Sequence, residues 1–335
     1  MKIIKWSDLY PSQLDIAHIL MKRKKNFDYE EKRSFERLVS GEAGENVVIE
    51  YLKKYGQDHW VVLQNSWLEH FGICECDVVL LTSVGIHLFE VKNYSNSFTY
   101  DTGLCYVNGR KIKQNVFSQV EKARSTLKDI CNEFSPTIEV SANLVFTGID
   151  CEVAIRTPVN DLNIIARNQL KRNILEIVEE EKQLKFNRKL PVEELVRHIK
   201  KYITSNPFLP EPLSPHEIRK LRKGIYCGRC GNFDVLISKK AYIKCSCGYY
   251  EPREKAVVRT ICEYGVLAYD RGLTKGEVHE FLDKQVSHSY IFKILTKHFT
   301  QVKNQKYTYY KNKGLPFHKI KKDFVIKEPR ILYLD

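Results

Sequence analysis

Cys76-Asp77-Val78-Val79-Leu80-Leu81-Thr82-Ser83-Val84-Gly85-Ile86-His87-Leu88-Phe89-Glu90-Val91-Lys92 decides how this chain folds. Two runs of β-branched and large apolar residues flank the short polar break Thr82-Ser83-Val84-Gly85, the pattern of two strands joined by a tight turn. Pairing Leu81 with Ile86 across that turn makes paired residue numbers sum to 167 and sets Asp77 directly opposite Glu90. Opposed residues share a face, with Cβ atoms about 4.5–5.5 Å apart. Side chains alternate along a strand, so Lys92 emerges on the face of Glu90. Two acids and an ammonium thus converge on one spot of a sheet that is otherwise apolar on both faces.

Unpaired burial of such charges is costly, so they must lie at a strand end, pair with one another, or hold a cation. A bare Glu-X-Lys is explained by a salt bridge at a sheet edge. The Asp placed opposite points instead to a hydrolytic phosphodiesterase site. Two carboxylates and a backbone carbonyl make a hard-oxygen pocket suited to Mg²⁺ or Mn²⁺. Lys92 would orient or deprotonate the attacking water, or stabilise charge on the pentavalent phosphorus.

The 335 residues suffice for two or three domains with real cores. No signal peptide or apolar run of membrane-spanning length is present, so the expectation is a soluble cytoplasmic protein without a membrane partner. The ten cysteines do not form a small secreted framework: four make a metal-type cluster, and Cys74, Cys76, Cys105, Cys131, Cys151 and Cys262 read as reduced thiols. Residues 1–215 carry 29 Lys+Arg against 29 Asp+Glu, whereas residues 216–335 carry 25 against 12. The whole net charge of +13 therefore sits in the last third. Such a segment is expected to engage a polyanion, foremost nucleic acid, unless it is only a Lys-rich solvated surface.

Residues 1–39 read as an N-terminal helical extension, with Lys22-Arg23-Lys24-Lys25 as a solvated face. Ser40 is the expected N-cap of a helix through Leu52, with Val47, Val48, Tyr51 and Leu52 as its apolar stripe. Glu42 and Glu45 share a face of it, either at the positive helix N-terminus or, for Glu45, reaching the acidic site. Gly44 would let backbone pack close beneath. Strands are expected at 60–64, 97–100 and 104–107, and a helix at 114–133 that carries Gln119 near its start, beside its buried stripe. Segments 138–147 and 151–155 would close the sheet, giving an α/β layered core.

Gly41-Glu42-x-Gly44-Glu45, then Asp77, then Glu90-Val91-Lys92, then a helix with Gln119, resembles the NERD (nuclease-related) domain, a branch of the PD-(D/E)XK nuclease superfamily. The resemblance covers roughly residues 40–155. It implies a PD-(D/E)XK-like mixed sheet flanked by helices, with Glu45, Asp77, Glu90, Lys92 and Gln119 as the active-site set and Asp77 and Glu90 as ligands of Mg²⁺. The Gln-bearing helix often opens with Asn-Pro in that family, whereas here it reads Asn115-Val116; proline is tolerated at a helix start but not needed there.

Residues 156–205 read as a helical spacer, with helices at 161–185 and 191–204 and Glu179-Glu180-Glu181 as a solvated charge run. Four prolines in residues 206–215 make a stiff linker. In residues 216–255, Cys227-x-x-Cys230 and Cys245-x-Cys247, each pair followed by a glycine, resemble a zinc ribbon with a closed, structural Zn²⁺ site. Residues 256–335 resemble a winged helix-turn-helix. Thr274 and Glu277 have capping-box spacing, a third helix lies at 289–298, and 299–302 and 307–310 flank a basic wing. Candidate nucleic-acid contacts are Ser289, Tyr290, Lys293, Lys297, Lys303 and Lys306.

Together these readings describe a multidomain α/β (α+β) metal-dependent nuclease, an endonuclease acting on DNA, delivered by its basic C-terminal module. The alternative is a DNA-binding regulatory or assembly protein whose nuclease-derived core does not cut. Phosphate contacts dominate affinity for either polymer, so the sequence does not separate DNA from RNA, and it leaves homo-oligomer formation open.

Overall fold

The hairpin read from the sequence forms the middle of an eight-stranded sheet in the computed structural model, which describes residues 1–7, 11–183, 189–237, 242–304, 307–311 and 330–334. The chain divides into two compact units: Met1–Trp6, Glu36–Asn206 and Arg330–Asp335 in the first, Ser7–Phe35 and Pro207–Pro329 in the second. Strand β1 (Lys2–Ser7) and helix α1 (Gln13–Arg23) come first, then α2 (Tyr29–Tyr55), β2 (Val61–Glu69), β3 (Ile73–Leu81) and β4 (Ile86–Lys92). Next are β5 (Ser97–Asp101), β6 (Leu104–Val107), β7 (Arg110–Lys111), α3 (Val116–Phe134), β8 (Val140–Phe146), β9 (Glu152–Ile155) and β10 (Asn163–Ala166). Helices α4 (Leu170–Gln183) and α5 (Val192–Ile199) and strand β11 (Ile203–Thr204) complete the run to Asn206.

The main sheet has the order β10-β8-β4-β3-β2-β1, continued by β17 (Arg330–Leu334), with β11 also pairing on β2. Strands β2, β3 and β4 are antiparallel, whereas β8 runs parallel to β4 and β10 parallel to β8. Its strands are nearly continuous apolar runs because both faces are covered. Val78, Leu80, Phe89 and Val91 pack with Val48, Leu52, Leu170 and Ile174 of α2 and α4. Val79, Leu81, Ile86 and Leu88 pack with Val120, Leu127, Leu195 and Ile199 of α3 and α5.

Helix α2 begins at Tyr29, eleven residues before the expected cap, so Ser40 lies inside it. Its hydroxyl donates to the Asn93 carbonyl at 3.3 Å, and its own carbonyl accepts the Asn93 Nδ2 hydrogen bond at 2.9 Å. Ser40 thus clips the helix to the end of β4. Gly44 permits this approach: a Cβ there would lie 2.8 Å from Asn93 Cβ and 2.8 Å from Thr147 Oγ1. Residues 163–166, expected within a helix, are the strand β10, because Asn163–Ala166 pair in parallel with Asn143 to Phe146 after a left-handed turn at Asp161 (φ 56°). Strand β9 pairs with β5 in a separate four-stranded sheet, β7-β6-β5-β9, and does not close the main one. Glu181, expected in solvent, is buried; its carboxylate accepts the Ser83 N–H at 2.7 Å, the Trp60 Nε1–H at 2.8 Å and the Ser83 hydroxyl, with His59 Nε2 at 2.9 Å. It thereby satisfies the β3–β4 turn.

The second unit contains α1, α6 (Pro215–Lys220), the three-stranded sheet β12 (Val235–Ile237), β13 (Tyr242–Cys245) and β14 (Tyr250–Pro252), then α7 (Arg253–Leu267), α8 (Lys275–Phe281), α9 (His288–His298) and the hairpin β15 (Thr300–Asn304) and β16 (Tyr307–Lys311). Thr274 caps α8 with the Glu277 box, as its spacing predicts. Leu273 and Tyr310 exchange backbone hydrogen bonds of 2.8 and 2.9 Å, which ties the hairpin to the three-helix core. Arg23, expected in solvent, is fully buried. Its Nε donates to Glu263 at 2.7 Å and its NH1 to the carbonyls of Arg222 and Gly224, and its guanidinium lies 4.4 Å from the Phe281 ring centroid.

Trp6, Trp60 and Trp67 are the chain's three tryptophans and all belong to the first unit, so their fluorescence reports its unfolding selectively. Gly44→Ala is expected to lower that unit's stability by about 1–3 kcal/mol through overpacking. Gly41→Ala, where a Cβ meets nothing within 4 Å, is expected to raise it by up to about 1 kcal/mol. In the second unit, Arg23→Ala leaves Glu263 buried without its cation and is expected to cost about 3–5 kcal/mol in urea unfolding followed by tyrosine circular dichroism. Lys24→Ala, beside it on the surface, is expected to stay within about 1 kcal/mol of the parent.

Candidate functional site

The β3–β4 register is the one the turn requires: Leu81 faces Ile86, Leu80 His87, Val79 Leu88 and Val78 Phe89. Asp77 occupies the next position, opposite Glu90, where the β3–β4 ladder stops and the β2–β3 ladder is interrupted. The β2–β3 pairing skips Asn65 and Asp77, and Asn65 takes a left-handed conformation (φ 50°). On the other side the Asp77 side chain replaces main chain, Oδ2 accepting the Val91 N–H at 2.7 Å. One step further, Lys92 Nζ donates to Glu90 Oε1 at 2.7 Å, the two side chains being 13 % and 7 % exposed.

Burial, then the charges of Glu90 and Glu45, push the Asp77 carboxyl well above the usual carboxylate range; Lys92 and the Val91 N–H act in the opposite direction without cancelling this. Glu45 of α2 is therefore within electrostatic reach of the pair from β3 and β4. Burial alone would depress the Lys92 ammonium, but Glu90 and Asp77 outweigh it and raise its pKa. Glu75 is an acid that sequence reasoning passed over. The same register sets it opposite Lys92, and partial desolvation together with Glu90 raises its pKa. Its signal was available in the hairpin numbering, since 75 and 92 also sum to 167.

Gln119 lies in the first turns of α3, which packs on β3 and β4. Asn115 caps this helix, its side chain accepting from the amides of Phe117 and Ser118 at 3.0 and 3.3 Å, so the absent proline is not needed to start it. Gln119 Oε1 is buried without a hydrogen-bond partner among the described residues. Several carboxylates crowd one ammonium in a desolvated place, and all the donors are hard oxygens. Hard oxygens are the donor type that Mg²⁺ or Mn²⁺ takes, while among the described residues the group whose ligand atoms converge within 4.8 Å is the cysteine cluster of the second unit.

The candidate contacts of the second unit separate into two groups. Ser289 and Lys293 are exposed on α9, and Lys303 is exposed on β15. Tyr290 is half-buried under the Arg253 guanidinium, 4.1 Å from its ring centroid, and Lys297 donates to Glu254 at 2.6 Å. Lys306 lies outside the described residues.

The sulfurs of Cys227, Cys230, Cys245 and Cys247 all lie within 4.8 Å of one another, with Cys227–Cys247 at 3.7 Å and Cys230–Cys245 at 3.5 Å. A tetrahedron with Zn–S bonds of about 2.3 Å has edges of about 3.8 Å, so the cluster has the size to hold zinc. Gly231 (φ 76°) and Gly248 (φ 81°) turn the chain after each pair, and the amides of Gly231 and Gly248 donate to the carbonyls of Cys227 and Cys245 at 2.9 and 3.0 Å. The shortened Cys245-Ser-Cys247 turn closes as compactly as the longer one. The Cys247 amide beside Cys245 holds that thiol near 6, which makes a thiolate available at neutral pH.

Residues 40–147 match the family model of the nuclease-related domain, NERD. The matched segment runs from Ser40 inside α2 to Thr147 just after β8, and Glu45, Asp77, Glu90, Lys92 and Gln119 all fall within it. No curated protein and no solved structure matches the chain. Among the described residues no helix is long and apolar enough to cross a membrane.

The cysteine cluster is expected to hold one zinc ion per chain, measured by metal analysis of protein purified without chelator. Cys245→Ser is expected to lose it, and removal of the metal to unfold the β12–β14 sheet, whose three short strands have little core of their own. Full zinc retention in Cys245→Ser would remove that cysteine from the ligand set.

Proposed function

We propose, from the nuclease-related domain at residues 40–147, that the first unit hydrolyses phosphodiester bonds of DNA as a Mg²⁺- or Mn²⁺-dependent endonuclease. The observation that carries this reading is the convergence of Glu90, Glu45 and Lys92 on Asp77, at the point where the β3–β4 ladder stops. A divalent cation held by Asp77 and Glu90 would polarise the scissile phosphate and supply an activated water. Asp77 has Oδ2 committed to the Val91 amide, which fixes the orientation in which Oδ1 is presented. Lys92 has a raised pKa and keeps its proton, which favours a donor role. It would orient the attacking water and neutralise charge developing on the phosphate, rather than take a proton. Gln119 would place its unpaired amide oxygen on the attacking water, or its amide N–H on a phosphate oxygen.

In this reading the basic second unit binds the polymer. Ser289 and Lys293 of α9 would face a DNA groove, Tyr290 would support them through Arg253, and Lys303 would reach the backbone from the hairpin. Lys297 would join by exchanging Glu254 for a phosphate. Structural Zn²⁺ on the four cysteines would hold the ribbon in shape.

The test is incubation of the full chain with circular and linear duplex DNA, single-stranded DNA and RNA, with Mg²⁺, Mn²⁺ or no added divalent metal. Metal-dependent cutting is expected, reduced about 10²-fold or more by Glu90→Gln and by Lys92→Ala. Full activity in the Glu90→Ala/Lys92→Ala double variant would sink the proposal. Tight, salt-sensitive binding without cutting, unchanged by Glu90→Gln, would instead support a regulatory or assembly protein with a nuclease-derived core.

A further inference from the structure

The β12–β14 sheet has one face turned inward and one turned to solvent, and the outer face has an unusual composition. Ile243, Cys245 and Glu251 point to the interior and are nearly inaccessible. Alternation then sends Leu236, Tyr242, Lys244 and Tyr250 outward, and Leu236, Tyr242 and Tyr250 are 72 %, 56 % and 56 % exposed. The pairing aligns them: Leu236 faces Lys244, and Lys244 faces Tyr250. Tyr242 lies two residues from Lys244 on the same strand, diagonal to Tyr250, a spacing of about 7–8 Å that aromatic side chains can bridge. Lys244 Nζ is 5.4 Å from the centroid of the Tyr250 ring.

From this we infer that the outer face of the zinc-ribbon sheet binds single-stranded nucleic acid, with unstacked bases lying on Tyr242 and Tyr250 and Lys244 neutralising the adjoining phosphate. Clustered exposed aromatics mark an interaction surface, and Lys244 among them, in a basic stretch of the sequence, selects a polyanion. Residues 216–255 contain ten Lys or Arg and four Asp or Glu. Of those acids, Glu251 is buried against Arg259 and Glu254 is paired with Lys297 and His298. A strand that offers π-faces and phosphates together meets both the rings and the cation. A duplex does not, because its base faces are already stacked. The residues of this surface differ from those of α9 proposed for duplex DNA, and its binding requires no cleavage.

The experiment uses the full zinc-loaded chain carrying Glu90→Ala, so that no strand is cut and the nuclease reading is not tested at the same time. Fluorescence anisotropy is read with labelled oligo-dT, oligo-rU and a hairpin duplex. Tyr242→Ala and Tyr250→Ala are each expected to weaken binding of at least one single strand by about tenfold or more and to leave duplex binding unchanged. Phenylalanine at either position is expected to preserve it, since the ring and not the hydroxyl carries the stacking. Lys244→Ala is expected to reduce the slope of log K against log salt by about 0.7. The oligo-dT and oligo-rU arms decide between DNA and RNA. Zinc content of one per chain in each variant establishes that the sheet is intact. Unchanged single-strand binding in the Tyr242→Ala/Tyr250→Ala double variant overturns the inference, as does an equal loss for the duplex. A dimer in gel filtration that this double variant dissociates while oligonucleotide binding persists also overturns it, and gives the face to a second copy of the chain.

Discussion

The hydrogen bond from the Val91 amide to Asp77 is the constraint on which the first unit's site depends. Where an antiparallel ladder ends, the next amide on each strand loses its partner, and a buried amide without one costs free energy comparable to a lost hydrogen bond. Asp77 supplies that partner from its side chain. The acid is thereby held against β4 at the level of Glu90. Beyond it the end of β4 is fastened by its own contacts: the Lys92 carbonyl accepts the Thr147 amide at 3.0 Å, and Asn93 is bonded to Ser40 and Thr147. The close approach at Gly44 lets α2 reach that junction and carry Glu45 towards it. Displacing any one of these contacts would move an acid.

Charge balance separates this cluster from the buried ion pairs described in the second unit. In the second unit Glu263 has Arg23, with the Tyr226 hydroxyl donating to its second oxygen, and Glu251 has Arg259. Each acid there has its own cation at hydrogen-bond distance, the condition under which a buried ion pair is tolerated. In the first unit Lys92 serves Glu90 directly while Asp77 and Glu75 are both driven up, first by desolvation and then by neighbouring acids. In the proposed reading a bound divalent cation would offset this excess of acids.

What was legible in the sequence was local or periodic. The hairpin register follows from a strand period of two and a four-residue turn, so the opposition of Asp77 and Glu90 was readable without coordinates. The cysteine spacing and the Thr274–Glu277 box are short-range signals of the same kind. What was not legible depends on distant partners. Ser40-Gly41-Glu42 has the composition of a helix start, yet α2 continues through it because the preceding residues 29–39 contain no glycine or proline to stop it. Arg23 and Glu181 read as solvated charges because their partners are far along the chain: Glu263 for one, and Ser83 and Trp60 for the other. Strand β10 is four residues long, too short for periodicity to distinguish it from helix, and only its pairing with β8 defines it.

Four thiolates fill a tetrahedral zinc and leave no position for a substrate, so a metal held by Cys227, Cys230, Cys245 and Cys247 contributes shape. That contribution is specific. Strands of three and four residues whose inward apolar side chains are Val235, Ile237 and Ile243 have too little core to fix their own twist and register. Zinc cross-linking the turn at Cys227 to the end of β13 would fix them, and with them the relative positions of Tyr242, Lys244 and Tyr250 on the opposite face. The inward side of the ribbon is anchored through Ile243 to the helical core of the second unit, so the outward side is presented as a rigid surface. Rigid aromatic rings lose little rotamer freedom on binding. A metal that takes no part in bond cleavage would in this way determine how an unpaired strand is held by the same chain.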